Sequence, residues 1–428
     1  FDGTALLQIC HIKTPAQQSD NRLLIIAHHL LIDGVSWRIL LEDINQALSA
    51  AKLQQNICFA SRTANLYDIS QFLIAQGKDE YDLKHWQALV AVATKPSFFR
   101  FVRQQEPIKK QLQQHTLTLP CAATQQLLTT ANRPYNTSIQ TLLLAALQWS
   151  AVRHYDLDDH LIILEGHGRE LLNNQLDSTR TLGWLTAMYP FRLFSNTQNI
   201  ADLICDMKEQ LANLSTKASR YGALRYYHPD EKTRQSLTIT TENHLFFNYL
   251  GQLDSALQHN GLLDDAPESA GSLHSQHNHA YYGLQLTAAI VNEQLSMHVE
   301  YDGARIAEAD VASFMTHYQA SIMTVLEHCI QDDIKRHTVS DFPLLPTMAN
   351  HQLQHLLAPF KQSAIVDIYP LSALQEGMWF HSQRTGEVSQ HSAYYEQTTL
   401  LLEGAFDIEA FEYAWHQLLD THSILRTA

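Results

Sequence analysis

Residues 27–37 read AHHLLIDGVSW, at the point where an aliphatic run stops and a helical pattern starts. Ahead of the stretch, Leu23-Leu24-Ile25-Ile26-Ala27 is short, apolar and partly β-branched, which predicts a buried strand. Behind it, Gly34 breaks the run, and Val35, Trp37, Ile39, Leu40, Ile44 and Leu48 then recur at helical spacing. His28, His29 and Asp33 therefore fall on a strand-to-helix loop, where mixed α/β scaffolds commonly present functional side chains.

Leu161-Ile162-Ile163-Leu164 predicts a second short strand, and it too ends in polar chemistry, EGHGRE at 165–170. Leu245-Phe246-Phe247 leads into Asn248-Tyr249-Leu250-Gly251-Gln252, and Leu295 to Tyr301 alternates like a half-buried strand before Asp302-Gly303. Thr137 with Gln140 has capping-box spacing ahead of a nearly all-apolar helix running to about His154, and a helix apolar on most faces is a buried one. Another helix is expected from about Glu308 to Ile330. The fold class is α/β with mixed sheets.

A length of 428 residues with 45% hydrophobic content suits two or more domains, each with its own core. No apolar run is long enough for a membrane span and no basic, apolar-cored leader opens the chain. The net charge of -15 is spread without acidic runs, which argues against nucleic acid as a partner. Cys10, Cys58, Cys121, Cys205 and Cys329 are scattered, odd in number and never in CxxC spacing, so reduced thiols in a cytoplasmic protein are expected, with neither disulfide nor zinc. Pro343, Pro346 and Pro359, flanking a weak amphipathic segment from His351 to Leu357, mark a boundary. Beyond it the pattern restarts: Asp367 to Ser372 leads into a helix, Gln397 to Leu402 alternates like a strand, and a last helix begins near Ile408. Phe1-Asp2-Gly3 without methionine, and an ending in amphipathic structure at Ile424 to Ala428, read as cuts in a longer polypeptide.

Single motifs have bland readings. A His-His pair among 24 histidines means little, and although His29 and Asp33 are four apart, the Gly34 break and the lack of a third ligand argue against a metal. Glu165 beside Arg169 is most simply a surface ion pair of little worth, while Gly166 and Gly168 give the backbone freedom for close approach of a ligand. Phosphate cradling is disfavoured by the repulsion of Glu165 and Glu170. Trp37 and Trp184 read as core residues.

In combination the motifs are far more specific. HHLLIDGVSWRIL, EGHGRE, RTLGWLTAMYPFRL and FNYLGQLD occur in this order and resemble the signature stretches of epimerization domains of nonribosomal peptide synthetases, a branch of the condensation-domain superfamily. The resemblance covers roughly residues 1–345; residues 346–364 then read as a linker, and 365–428, with YPLSALQEGMWFHSQ and DTHSILRTA, resembles the opening of a following condensation domain. It implies a two-lobed, chloramphenicol-acetyltransferase-like fold. It also implies that the family's first signature, with an arginine partner for Asp33, lies ahead of Phe1, leaving the N-terminal lobe incomplete and this fragment poorly folded or inactive.

The implied reaction is L-to-D inversion at the Cα of an aminoacyl or peptidyl thioester, held on the 4'-phosphopantetheine arm of an upstream carrier domain, with no cofactor of the domain's own. Such chemistry belongs to secondary metabolism and antibiotic biosynthesis, in monomeric domains of a megasynthase. Inversion needs a proton acceptor on one face of the Cα, a donor on the other, and stabilisation of the enolate-like oxygen between them. His29 and Glu165 match the family's pair, with the direction of transfer unassigned. Asn248 and Tyr249 match channel positions that orient the thioester or bond its oxygen; Arg169 either fixes Glu165 or contacts the arm; His28, Asp33 and Gly34 shape the loop. The rival readings are a condensation-type acyltransferase that forms an amide, and a non-catalytic docking segment.

Overall fold

The computed structural model describes residues 5–14, 21–91, 98, 112–169, 176–195, 197–215, 217–239, 244–252, 262–264, 266–271, 282–331, 335–345, 348–384, 394 and 396–427. Its elements are β1 (Leu7–Ile12), β2 (Arg22–Ala27), α1 (Gly34–Lys52), α2 (Leu66–Gln76), α3 (Leu83–Ala91), β3 (Leu112–Thr118), α4 (Cys121–Thr129), α5 (Ile139–Tyr155), β4 (Asp159–Gly166), β5 (Ala187–Phe194), α6 (Ile200–Ser215), α7 (Ala218–Tyr227), α8 (Glu231–Ser236), β6 (Leu245–Gln252), β7 (Leu284–Val291), β8 (Gln294–Asp302), α9 (Glu308–Cys329), α10 (Asn350–Leu357), α11 (Ala373–Arg384) and α12 (Ile408–Thr421). The chain divides into two compact units, Phe1–Ile368 and Tyr369–Ala428.

In the first unit, β3-β8-β7-β6-β4-β5 form a mixed six-stranded sheet. β4, β6 and β7 run parallel to their neighbours among themselves, and the remaining pairs are antiparallel. The aliphatic run of β4 is buried from Asp159 to Leu164, the continuous pattern of a strand covered on both faces. β5 contains Pro190, which it tolerates because it is the edge strand and one side of its backbone needs no ladder partner.

α5 packs against α6 and α9 and shares one buried apolar core with the strands of this sheet. Eleven of its residues are buried, which is why its sequence lacks a polar face. Its cap is one residue later than the sequence suggested: Ser138, not Thr137, takes the extended N-cap conformation, and its hydroxyl accepts from the Thr141 N–H at 3.3 Å. Tyr318 of α9 buries its ring and donates to the Leu143 carbonyl at 3.0 Å, a polar tie between two otherwise apolar surfaces.

β1 and β2 form a separate antiparallel pair. The aliphatic run from Leu23 to Ala27 was expected to be buried, yet Leu23 and Ile26 are 44% and 54% exposed, because a two-stranded ribbon covers neither of its own faces. Toward the end of the first unit, α10 packs Leu353 and Leu357 against Phe342. In the second unit, α11 and α12 form as the sequence pattern predicted. Gln397 to Leu402 does not form a strand; alternation alone supplies no ladder, and Leu400 and Leu401 remain exposed.

Candidate active site

The end of β2 is pinned by the His28 N–H, which donates to the Leu6 carbonyl at 2.8 Å, and the chain then turns tightly, with the Leu31 N–H donating to the His28 carbonyl at 2.9 Å. Within the turn His29 Nδ1 lies 2.6 Å from the Ile32 carbonyl. A carbonyl only accepts, so Nδ1 carries the proton and, in the neutral imidazole, the free lone pair is on Nε2. The ring stacks on the indole of Trp184, with centroids 5.1 Å apart and planes inclined by 24°.

Asp33 ends the turn and starts α1. Its Oδ1 accepts from the Ser36 N–H at 2.8 Å and from the Ser36 hydroxyl at 2.7 Å, an N-cap arrangement. Its Oδ2 accepts from Arg169 Nη1 at 2.9 Å and from the Leu185 N–H at 3.1 Å, while Arg169 Nη2 reaches Oδ1 at 3.2 Å. Burial alone would raise the Asp33 carboxyl; the hydrogen bonds from Arg169 and Ser36 outweigh it and hold the group below the usual carboxylate range. Gly34 opens α1, and a side chain there would meet nothing within 4 Å, so its role is not forced by packing.

Glu165 stands near the end of β4. Burial pushes its carboxyl above the ordinary range, against the opposing pull of a hydrogen bond from the Asn248 side chain and of the charge on His29. The two strands are parallel neighbours with Leu164 opposite Phe247, which sets Glu165 and Asn248 side by side on one face. Just past β4 the backbone must come close to the segment before β5: Gly168 has φ +71°, and a Cβ there would lie 1.8 Å from the Leu185 carbonyl oxygen.

The structure thus brings His29, Glu165 and Asn248 together from three loops and strand ends. It corrects the sequence reading at three places. Arg169 neither fixes Glu165 nor enters the channel: it is 3% exposed and its guanidinium is spent on Asp33 and on the His167 and Thr181 carbonyls, so the aspartate's arginine comes from within the chain. Tyr249 follows Asn248 on a strand, so it projects to the other face and packs against the apolar core. Trp184 is 44% exposed at His29 instead of buried, whereas Trp37 is half-buried on α1.

Tyr282 was missed. It precedes β7, stacks on Phe246 with centroids 4.5 Å apart, and its hydroxyl is pushed up to about 12 by burial, with the negative charge of Glu165 adding to the effect. Its only sequence signal is an aromatic residue just ahead of a strand, too common to single out. Among the described residues no group of three or more His, Cys, Asp or Glu is placed to hold a metal, and no helix is long and apolar enough to cross a membrane.

Comparison with known proteins gives a consistent result. The family model described as "Condensation domain" matches residues 3–343 and 365–428. Tyrocidine synthase 2 of Brevibacillus parabrevis is 31% identical over 342 residues, 78% of this chain and 9% of that synthase. Bacitracin synthase 3 of Bacillus licheniformis is 28% identical over 432 residues, 98% of this chain and 6% of that synthase. The chain therefore spans a small fraction of these relatives. Among solved structures, the epimerization domain from the third module of tyrocidine synthetase B superposes with a TM-score of 0.65 at 29% identity, covering 76% of this chain and 73% of that one. The condensation domain of the Monacolin K polyketide synthase shares the fold, with a TM-score of 0.56 at 13% identity over 76% of this chain and 73% of that one.

Proposed function

The chain belongs to the condensation domain family and is a condensation-superfamily domain of nonribosomal peptide synthetases, and from that premise we propose that it inverts the Cα of a carrier-bound aminoacyl or peptidyl thioester. The supporting observation is the pairing of Glu165, a carboxyl raised by burial, with His29, an imidazole whose Nδ1 is held on the Ile32 carbonyl so that Nε2 is the nitrogen left to exchange a proton. Two groups able to exchange protons, brought in from different strand ends, are what transfer at the two faces of a stereocentre requires. Amide formation calls on the histidine loop alone and gives the carboxyl no task.

In this reading one of the pair removes the Cα proton from one face while the other delivers a proton to the opposite face, so nothing is oxidised or reduced. The Asn248 amide, beside Glu165, orients that carboxyl and presents an N–H toward the thioester oxygen. His29 is aimed by its Ile32 bond and the Trp184 face, and the buried Asp33–Arg169 pair fixes the turn that carries it. Residues 1–345 act as the epimerization domain, 346–364 connect it onward, and 365–428 belong to a following condensation domain. The partners are an upstream carrier domain, which brings the substrate on phosphopantetheine, and the downstream condensation domain, within a cytoplasmic synthetase.

The test is incubation of the domain with an L-aminoacyl carrier in deuterium oxide. Deuterium at Cα with D-product supports the proposal. Peptide formation without exchange, when an acceptor carrier is supplied, replaces it with condensation; neither reaction leaves a docking role.

A further inference from the structure

We propose that the cavity beside Glu165 is the seat of the substrate's own side chain, and that this chain is built for a large apolar or aromatic residue, and against a cationic one, at the inverted position. The proposal deepens, and depends on, the reading of His29 and Glu165 as the groups that act on the stereocentre. The cavity has a volume of about 500 Å3 and lies between β5, α7 and the end of β4. It is continuous with the site by register: Met188, on its wall, is directly opposite Glu165 in the β4–β5 ladder, and Ile163, also on its wall, is two residues before Glu165 and so on the same face. Trp184 joins the two, since it stacks on His29 and lines the cavity. A Cα held between His29 and Glu165 therefore has the cavity within reach of its side chain.

The chemistry of the lining selects the occupant. Tyr189, Tyr221, Tyr282 and Trp184 supply ring faces, and Met188 supplies an adaptable thioether whose sulfur accepts from the Tyr282 hydroxyl at 2.9 Å. Among the described residues no acidic side chain lines the space, so a cationic side chain would be buried without a partner. The guanidinium of Arg225, on the wall, lies 5.3 Å from the ring centroid of its neighbour Tyr226. One position keeps the room open. Gly222 sits inside α7, where glycine is a weaker helix former than alanine, yet a Cβ there would meet nothing within 4 Å. Gly222 is among the residues that line the cavity.

The experiment measures binding of the pantetheine thioesters of L-phenylalanine and L-alanine to the chain, together with deuterium exchange at Cα of each. The wild type should prefer the phenylalanyl ester by at least about tenfold, the scale of about two buried methylene equivalents. Along the series Gly222→Ala, Gly222→Val, Gly222→Leu that ratio should fall stepwise to within about twofold of unity. Circular dichroism identifies any variant that does not fold, and the milder members carry the trend if the leucine variant fails. Equal affinities in the wild type, or a folded series in which both esters weaken in proportion, overturns the side-chain assignment; the latter would mean that the cavity holds a part common to all substrates. Absence of exchange on both esters sinks the epimerization reading instead, and is distinguishable because the affinity ratio is read without turnover.

Discussion

Asp33 and Arg169, 136 residues apart, form a buried two-point ion pair with oxygen–nitrogen distances of 2.9 and 3.2 Å. Through it, the turn carrying His29 is fastened to the segment that follows Glu165. Each partner makes further hydrogen bonds, Asp33 with Ser36 and Leu185, Arg169 with two carbonyls, so the link holds geometry more than it adds net stability.

Removing one partner strands the other charge. Arg169→Met is expected to destabilise the chain by about 3–5 kcal/mol, read by chemical denaturation, and Arg169→Lys should recover only part of this because an ammonium cannot make the forked contact. An Arg169→Met loss within about 0.5 kcal/mol of zero would mean the pair does not fasten the loop.

The same pair sets an acid response. A carboxyl held below its unfolded value stabilises the fold at pH above that value and loses the contribution as pH falls through the folded one. The wild type should therefore lose melting temperature more steeply than Asp33→Asn on acidification below about pH 4, where the carboxyl of the unfolded chain takes up its proton ahead of Asp33 in the fold. Parallel curves for the two proteins would remove Asp33 from the account.

Glu165 has the opposite sign. Its carboxyl is raised by burial, so the fold favours the protonated form, and the penalty of ionisation appears as pH rises through the folded value. Glu165→Gln, neutral at every pH, is predicted to melt above the wild type at neutral pH and to converge with it in acid. A variant less stable than wild type at neutral pH would contradict the raised carboxyl.

Gly168 is required by backbone contact. Gly168→Ala should lower stability by at least about 2 kcal/mol, combining a positive φ with a collision against the Leu185 carbonyl, and circular dichroism melts would register it. A neutral effect would mean the EGHG turn is softer than its geometry implies.

Much of this was legible in the sequence because short aliphatic runs ending in glycine and polar residues mark strand ends, and β4, β6 and β8 appear where those runs predicted them. The loop carrying His29 and the strand end carrying Glu165 were visible for the same reason. Their side chains' partners were not. Arg169 reads locally as a partner of Glu165, four residues away, and only the fold carries it to Asp33. Trp184 reads as core because a tryptophan in an apolar stretch commonly is; its stacking on His29 depends on a contact 155 residues distant in the chain. Tyr249 reads together with Asn248 because the two are adjacent in sequence, and strand alternation turns them to opposite faces.

The most direct measurement is deuterium wash-in at Cα, followed separately from the L- and the D-aminoacyl carrier thioesters, for His29→Ala and Glu165→Gln. If the two groups work from opposite faces of one stereocentre, each variant retains wash-in from at most one enantiomer and neither yields inverted product. Full inversion by either variant, correctly folded, would contradict the pairing of His29 with Glu165.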